Sequence, residues 1–277
     1  MNPAAEEALP GIPRNLRMLL EYDGRAYAGW ERQRNGLAVQ EVLESAIERI
    51  TGEKVILNGS GRTDAGVHAL GQVASFTLEH RIERSDLLRA LNAVLPGDVA
   101  VLALDEVTLF FHARFSARSK EYRYRILNDR IGAPLLRHTY HPVFARLDVS
   151  RMEATLDRFV GRHDFSAFCR EPERLTDRVR TIHQAELRRQ GRFLDLHFVG
   201  DGFLWNMVRI LAGTTVYAGL GKIEPDMVPE IIAARDRKMA GPTLPASGLS
   251  LVGVFYGDEW AGSDGCEAFR GGSSPGF

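Results

Sequence analysis

The densest chemistry in this 277-residue chain lies in Asn58-Gly59-Ser60-Gly61-Arg62-Thr63-Asp64-Ala65-Gly66-Val67-His68. Glycines at 59, 61 and 66 permit sharp turns and close approach of a ligand to the backbone. Gly59-Ser60-Gly61 resembles a phosphate loop, but the G-K-[ST] ending and a following helix signal are missing. Asp64, ahead of a small residue and a glycine, reads either as a turn residue or as a carboxylate presented for catalysis. Arg209 bears on that choice. It sits among Val208, Ile210 and Leu211, and a buried guanidinium needs a carboxylate or phosphate partner. Asp64 is a candidate partner, which would put the site in a cleft. The alternative leaves Arg209 on a solvent-facing stripe. Tyr122 and Tyr124 alternate with Lys120, Arg123 and Arg125, a pattern that suits base stacking with phosphate contact. The same alternation fits tyrosines in the core and arginines in water, the reading preferred for Tyr124. None of the eight histidines falls in a metal-ligand spacing, so His68 and His163 read as hydrogen-bonded structural residues. No G-x-S-x-G elbow or triad is present.

These residues need elements to position them. Leu16–Tyr22 reads as a buried strand. Val39–Ile50 places Val39, Val42, Leu43, Ala46, Ile47 and Ile50 on one helical face. Val55–Leu57 and Gln72–Leu78 are strand-like, and Arg84–Val94 is a helix stopped by Pro96 and Gly97. Val99–Val107 is a further strand. A second half begins with the strand Glu121–Leu127, followed by a helix capped by Ser150 and running to Val160. Strands Thr181–Arg188 and Phe193–Val199 follow. Then come a long apolar helix from about Leu204, a helix from Pro225 to about Arg235, and a last strand Ser250–Tyr256. Each half approximates β-α-β-β-α-β. The expected fold class is α+β, with two similar ferredoxin-like halves whose antiparallel sheets flank a central cleft. The expected divisions are a flexible extension over 1–13, an N-terminal domain over 14–115, a C-terminal domain over 116–257 and a glycine- and serine-rich tail over 258–277. The break falls near 112–120, and a long loop covers 128–142.

Composition is that of a folded protein, with 44% apolar and 26% charged residues. Two cysteines, Cys169 and Cys266, belong to no C-x-x-C pair, which excludes a disulfide framework and fits a reducing, cytoplasmic setting. The start reads as no signal peptide. The apolar run Phe203–Gly221 carries Arg209 near its middle and reads as a buried helix rather than a membrane span. Net charge is −1, yet from His112 to Arg146 eight lysines and arginines face only Glu121 and Asp129. Local patches of this kind attract a phosphate backbone whatever the charge of the whole chain. Three functions fit the residues alone: a catalytic aspartate acting on RNA, a non-catalytic RNA-binding protein with ferredoxin-like domains, or a phosphate-binding enzyme using Gly59–Gly61. An RNA binder does not need Asp64, and the phosphate-binding enzyme would need a nucleotide or a metal.

An ordered set of motifs narrows the choice. Gly61-Arg62-Thr63-Asp64-Ala65-Gly66-Val67-His68 strongly resembles the active-site motif of the TruA-type tRNA pseudouridine synthases. Tyr22-Asp23-Gly24 with Gly29-Trp30-Glu31-Arg32-Gln33, Val39-Gln40, Lys120-Glu121-Tyr122-Arg123-Tyr124, and His163 through Phe168 resemble that family's motifs in the family's order. So do Asn206-Met207-Val208-Arg209 and Gly248-Leu249-Ser250-Leu251. The likeness covers roughly residues 14–257. Leu244 departs from the alanine usual before the proline of the closing loop, and the tail after Tyr256 has no counterpart. The resemblance implies an isomerase that converts uridine to pseudouridine in the anticodon arm of tRNA, at positions 38, 39 and 40. It implies Asp64 and Arg209 as catalytic residues, and Tyr122, Arg62 and Leu251 as substrate-binding residues. Arg114, Arg118, Lys120 and Arg123 would form the tRNA-binding patch. It further implies a homodimer, with no cofactor, nucleotide or metal and no membrane.

Overall fold

The first strand alternates: Leu16, Met18, Leu20 and Tyr22 are buried on one face. In a computed structural model, which describes residues 12–257, this strand, β1 (Arg14–Tyr22), lies between two others. Its neighbours are β3 (His68–Leu78) and β4 (Val99–Val107), both antiparallel to it. Helix α1 (Val39–Thr51) packs Leu43 and Ile47 into the core and ends where Gly52 turns left-handed, at φ 76°. Helix α2 (Arg84–Val94) contributes Leu87 and Leu91. The expected strand at 55–57 does not form. A two-residue strand β2 (Asn58–Gly59) pairs instead with Ser75 and Ala74 of β3.

The second half repeats the order. Strand β5 (Ser119–Asn128) pairs in parallel with a short β6 (His141–Val143) at the end of the expected long loop. Helix α3 (Val149–Asp157) follows. Its cap is Asp148, whose carboxylate accepts from the Arg151 amide, rather than Ser150, which lies inside the helix. Strands β7 (Gly161–Asp164), β8 (Val179–Gln190) and β9 (Phe193–Gly200) then form antiparallel pairs. Helix α4 (Met207–Gly219) is buried nearly all round, and α5 (Val228–Ala234) is preceded by a 3-10 turn at Pro225–Met227. Strand β10 (Leu249–Phe255), the last among the described residues, runs antiparallel to β5.

Numbered within each half, both sheets have the strand order 4-1-3-2: β4-β1-β3-β2 and β10-β5-β9-β8, with β7 added at the far edge. The two join where Ser250 and Leu251 of β10 run parallel to His68 and Ala69 of β3. Strand β3 serves two partners because β2 is so short. Its C-terminal part takes β2 and its N-terminal part takes β10. The loop 60–67 between β2 and β3 therefore emerges at the seam, and one continuous apolar cluster runs beneath both halves. The expected tail over 258–277, and all but the last two residues of the expected extension over 1–13, lie outside the described residues.

Candidate active site

The motif segment 22–33 braces the Asp64 loop. Tyr22 Oη is 2.8 Å from Thr63 Oγ1, and the Trp30 amide donates to the Thr63 carbonyl at 3.1 Å. Gly29 has φ +114°, and a Cβ there would lie 2.6 Å from the Thr63 carbonyl oxygen, so the residue has to be glycine. Gly59 makes room for the Trp30 ring, since its Cβ would fall 2.3 Å from the indole nitrogen. His68, at the end of the loop, accepts from the Gly24 amide and faces the His138 carbonyl with its other nitrogen, 2.9 Å away. His163 lies 3.1 Å from the Val160 carbonyl. Both are hydrogen-bonded structural residues. Asp64 is thus held by a loop whose own backbone is anchored from the first half.

Arg209, the third residue of α4, meets it from the second half. Its Nη1 lies 3.5 Å from Asp64 Oδ2, and the two side chains are 18% and 24% exposed. Arg209 is fixed from behind: Nε donates to the Leu244 carbonyl at 2.6 Å and Nη1 to Asn206 Oδ1 at 2.8 Å. Leu244 returns a hydrogen bond from its amide to the Arg209 carbonyl. The one departure from the family's pattern near the site therefore touches Arg209 through backbone atoms. Burial raises the Asp64 carboxyl above its ordinary 3.8; the Arg209 charge, and more weakly the Trp205 side chain and Arg170, pull it back. An arginine alone would lower this pKa, but desolvation outweighs it here.

Tyr122 forms the next wall. It is 7% exposed, meets the Phe203 ring edge-on at 5.1 Å, and stands in register opposite Leu251 of β10. Its hydroxyl is held protonated by burial first, then by Tyr22 and the nearby Asp64 charge. Leu251 is fully buried beside it, and Tyr124 is fully buried with its hydroxyl donating to the Pro245 carbonyl. Arg62, exposed beside Asp64, pairs with Glu31. Lys120 lies on the Tyr122 face of β5, its Nζ close over Gly61. Arg114 is exposed in the crossing between the halves, and the Arg118 amide donates to the Phe255 carbonyl. Arg123 is not brought together with these. It lies on the opposite face of β5, 4.0 Å from Asp195, which Arg125 also approaches at 3.9 Å. The sequence reading missed Trp205 and Arg170, which stack with the guanidinium 4.8 Å from the ring centre at the rim of the site. The sequence offered only the position of Trp205, directly before the Asn206-Met207-Val208-Arg209 motif, as a signal.

Among the described residues no group of three or more His, Cys, Asp or Glu could hold a metal ion. No helix among them is long and apolar enough to cross a membrane.

A loop carboxylate from one ferredoxin-like half therefore pairs with a helix arginine of the other, beside a buried tyrosine, at an intramolecular seam. The family model described as tRNA pseudouridine synthase matches residues 18–116 and 156–257. "tRNA pseudouridine synthase A" of Acetivibrio thermocellus is 46% identical over 243 residues, spanning 88% of this chain and 100% of that protein. The protein of the same name from Citrifermentans bemidjiense is 45% identical over 244 residues, 88% of this chain and 98% of its own. A chain in the crystal structure of an archaeal box H/ACA sRNP Nop10-Cbf5 complex aligns over 74% of this chain and 42% of its own. The TM-score is 0.32 and the identity 15%, too slight to carry any argument. The chain belongs to the tRNA pseudouridine synthase family, and it is an isomerase.

Proposed function

We propose that this enzyme isomerises uridine to pseudouridine in the anticodon arm of tRNA, at positions 38, 39 and 40, with Asp64 as the catalytic carboxylate. The observation that carries the reading is the Asp64–Arg209 pair at the seam, beside Tyr122. The uridine leaves its stack, at a cost of a few kcal/mol, and enters the cleft. Asp64 then acts on the ribose, either attacking C1′ or removing a ribose proton, and both roles require its ionised form. Breaking the N1–C1′ bond leaves uracil free to turn. C5 then bonds to C1′ as Asp64 leaves C1′ or returns the ribose proton, the C5 proton departs, and N1 gains a proton, so no electrons and no water are consumed overall. Tyr122 lies against the base, with Leu251 packed beside it from β10. Arg62 exchanges Glu31 for RNA phosphate and fills the space the base vacates. The enzyme works as a cytoplasmic homodimer with tRNA lying across both subunits.

The test is incubation of the purified protein with tRNA carrying tritium at uridine C5, with no cofactor added. Tritium release with pseudouridine at 38, 39 or 40 is the expected result. Product at other positions overturns the assignment of sites, and absence of product overturns the activity. Sedimentation at equilibrium checks the dimer.

A further inference from the structure

Among the described residues, Lys120 is a cation without an acid: no carboxylate pairs with its Nζ, and its charged neighbours are Arg114 and Arg180. Burial and those two arginines push its ammonium down to about 8. Its position explains the crowding. Lys120 stands in register with Gly200 of β9, and Gly200 with Ile182 of β8, two residues beyond Arg180. Lys120 and Arg180 thus stand on the two strands that flank Gly200, where the Phe203 ring packs close to the glycine. Arg180 is steadied there: Nη1 donates to the Val179 carbonyl at 2.6 Å, its guanidinium lies 3.5 Å from the exposed Asp177, and its Nε rests against Gly202. From the other half, Gly61 comes so close that a Cβ would lie 3.1 Å from Lys120 Nζ. Like charges are drawn together at a cost unless an anion joins them.

The anion's chemistry follows from the strand. Lys120 and Tyr122 point to one face of β5, two residues and ~6.8 Å apart. That separation lies within the span of one nucleotide whose base is in the cleft. We infer that Lys120, Arg180 and Arg114 form a subsite for a single backbone phosphodiester, the one joining the flipped uridine to its neighbour in the substrate strand. The lack of a side chain at Gly61 leaves room for the Lys120 side chain to reach that position. This inference rests on the RNA reading of the site above. It extends the cation set to β8 and assigns it one linkage rather than a diffuse patch.

The experiment neutralises single phosphates. Anticodon-arm hairpins are made with a methylphosphonate at one linkage at a time around the target uridine. Their binding to Asp64→Asn protein, which keeps the substrate unturned, is compared with binding to Asp64→Asn/Lys120→Met and Asp64→Asn/Arg180→Met. Neutralising one linkage next to the uridine should weaken binding about tenfold in the Asp64→Asn protein and leave both double variants nearly unaffected. Each double variant should lose about 0.7–0.9 from the log–log salt slope. Lys120→Arg should restore both effects. Thermal unfolding first establishes that each variant is folded. If every neutralised linkage costs the double variants as much as the Asp64→Asn protein, the subsite is overturned. If millimolar inorganic phosphate stabilises the protein through Lys120 while no linkage matters, the site takes a free anion and the proposal fails. Parent enzyme that forms no pseudouridine would remove the function itself, a result separate from either of these.

Discussion

Asp64→Asn keeps the volume of the side chain and removes its charge. Turnover should fall by several orders of magnitude, with fold and RNA affinity retained, because in the proposed mechanism one carboxylate carries the step at the ribose. Single-turnover assays on the purified variant decide it, and activity within tenfold of the parent would take Asp64 out of the mechanism. Arg209 is tested through pH. Burial already places the Asp64 pKa above 3.8, and the proposed active form is ionised, so activity should drop as pH falls through that raised value. Arg209→Met removes the charge that opposes desolvation. The acid limb should move to higher pH and the plateau should fall. Stability carries the same sign. A carboxyl whose folded pKa is raised costs nothing below its unfolded pKa and destabilises progressively as pH rises through the folded one. The loss caused by Arg209→Met should therefore be larger at neutral pH than in acid, by urea unfolding at both. Asp64 and Arg209 were legible in the sequence because a charge in an apolar run demands a partner. Trp205 and Arg170 were not, because an aromatic and an exposed arginine satisfy many surroundings equally well.

At the scale of elements, the glycines and the closing loop decide how firmly the site is held. Gly29→Ala forces a Cβ against the Thr63 carbonyl from a positive-φ position, so the clash and the backbone strain add. A loss of about 2–4 kcal/mol is expected by urea unfolding, together with reduced turnover, since Thr63 precedes Asp64. Leu244→Ala separates packing from chemistry. Its side chain is buried, but its bonds to Arg209 come from backbone atoms. The change should cost about 2–3 kcal/mol of stability and leave kcat close to the parent's. A large fall in kcat would show that the leucine side chain itself sets the arginine. Element types were legible where period and length were sufficient: α2 falls at its expected bounds, and β4 likewise. Caps and very short strands were not. Asp148 and Ser150 both carry an oxygen able to cap, and only the path of the chain selects Asp148. Strands β2 and β7 are too short to show a period, and pairing with β3 and β8 defines them.

At the scale of the molecule, the site exists because the two halves are joined. Asp64 belongs to one and Arg209 to the other, so their coupling measures the seam. In a cycle of parent, Asp64→Asn, Arg209→Met and the double variant, unfolding free energies should be non-additive. The double variant should lose less than the summed single losses. Additivity within ~0.3–0.5 kcal/mol would mean that the pair does not interact in solution.

What the sequence determined by itself was the chemistry and the local frame: a carboxylate in a glycine-rich loop, a lone arginine in an apolar helix, tyrosines alternating with cations, and two runs of β-α-β-β-α-β. Each of these depends on residue type and near-neighbour period, which are one-dimensional. The tertiary structure decided what depends on distance between segments remote in sequence. It joined β3 to β10 in parallel because β2 is too short to cover the β3 edge. It turned Arg123 away from Tyr122, and brought Arg180 to Lys120 across Gly200. It also set the direction of the Asp64 pKa, because desolvation depends on everything packed around a carboxyl, while a motif shows only its neighbours along the chain.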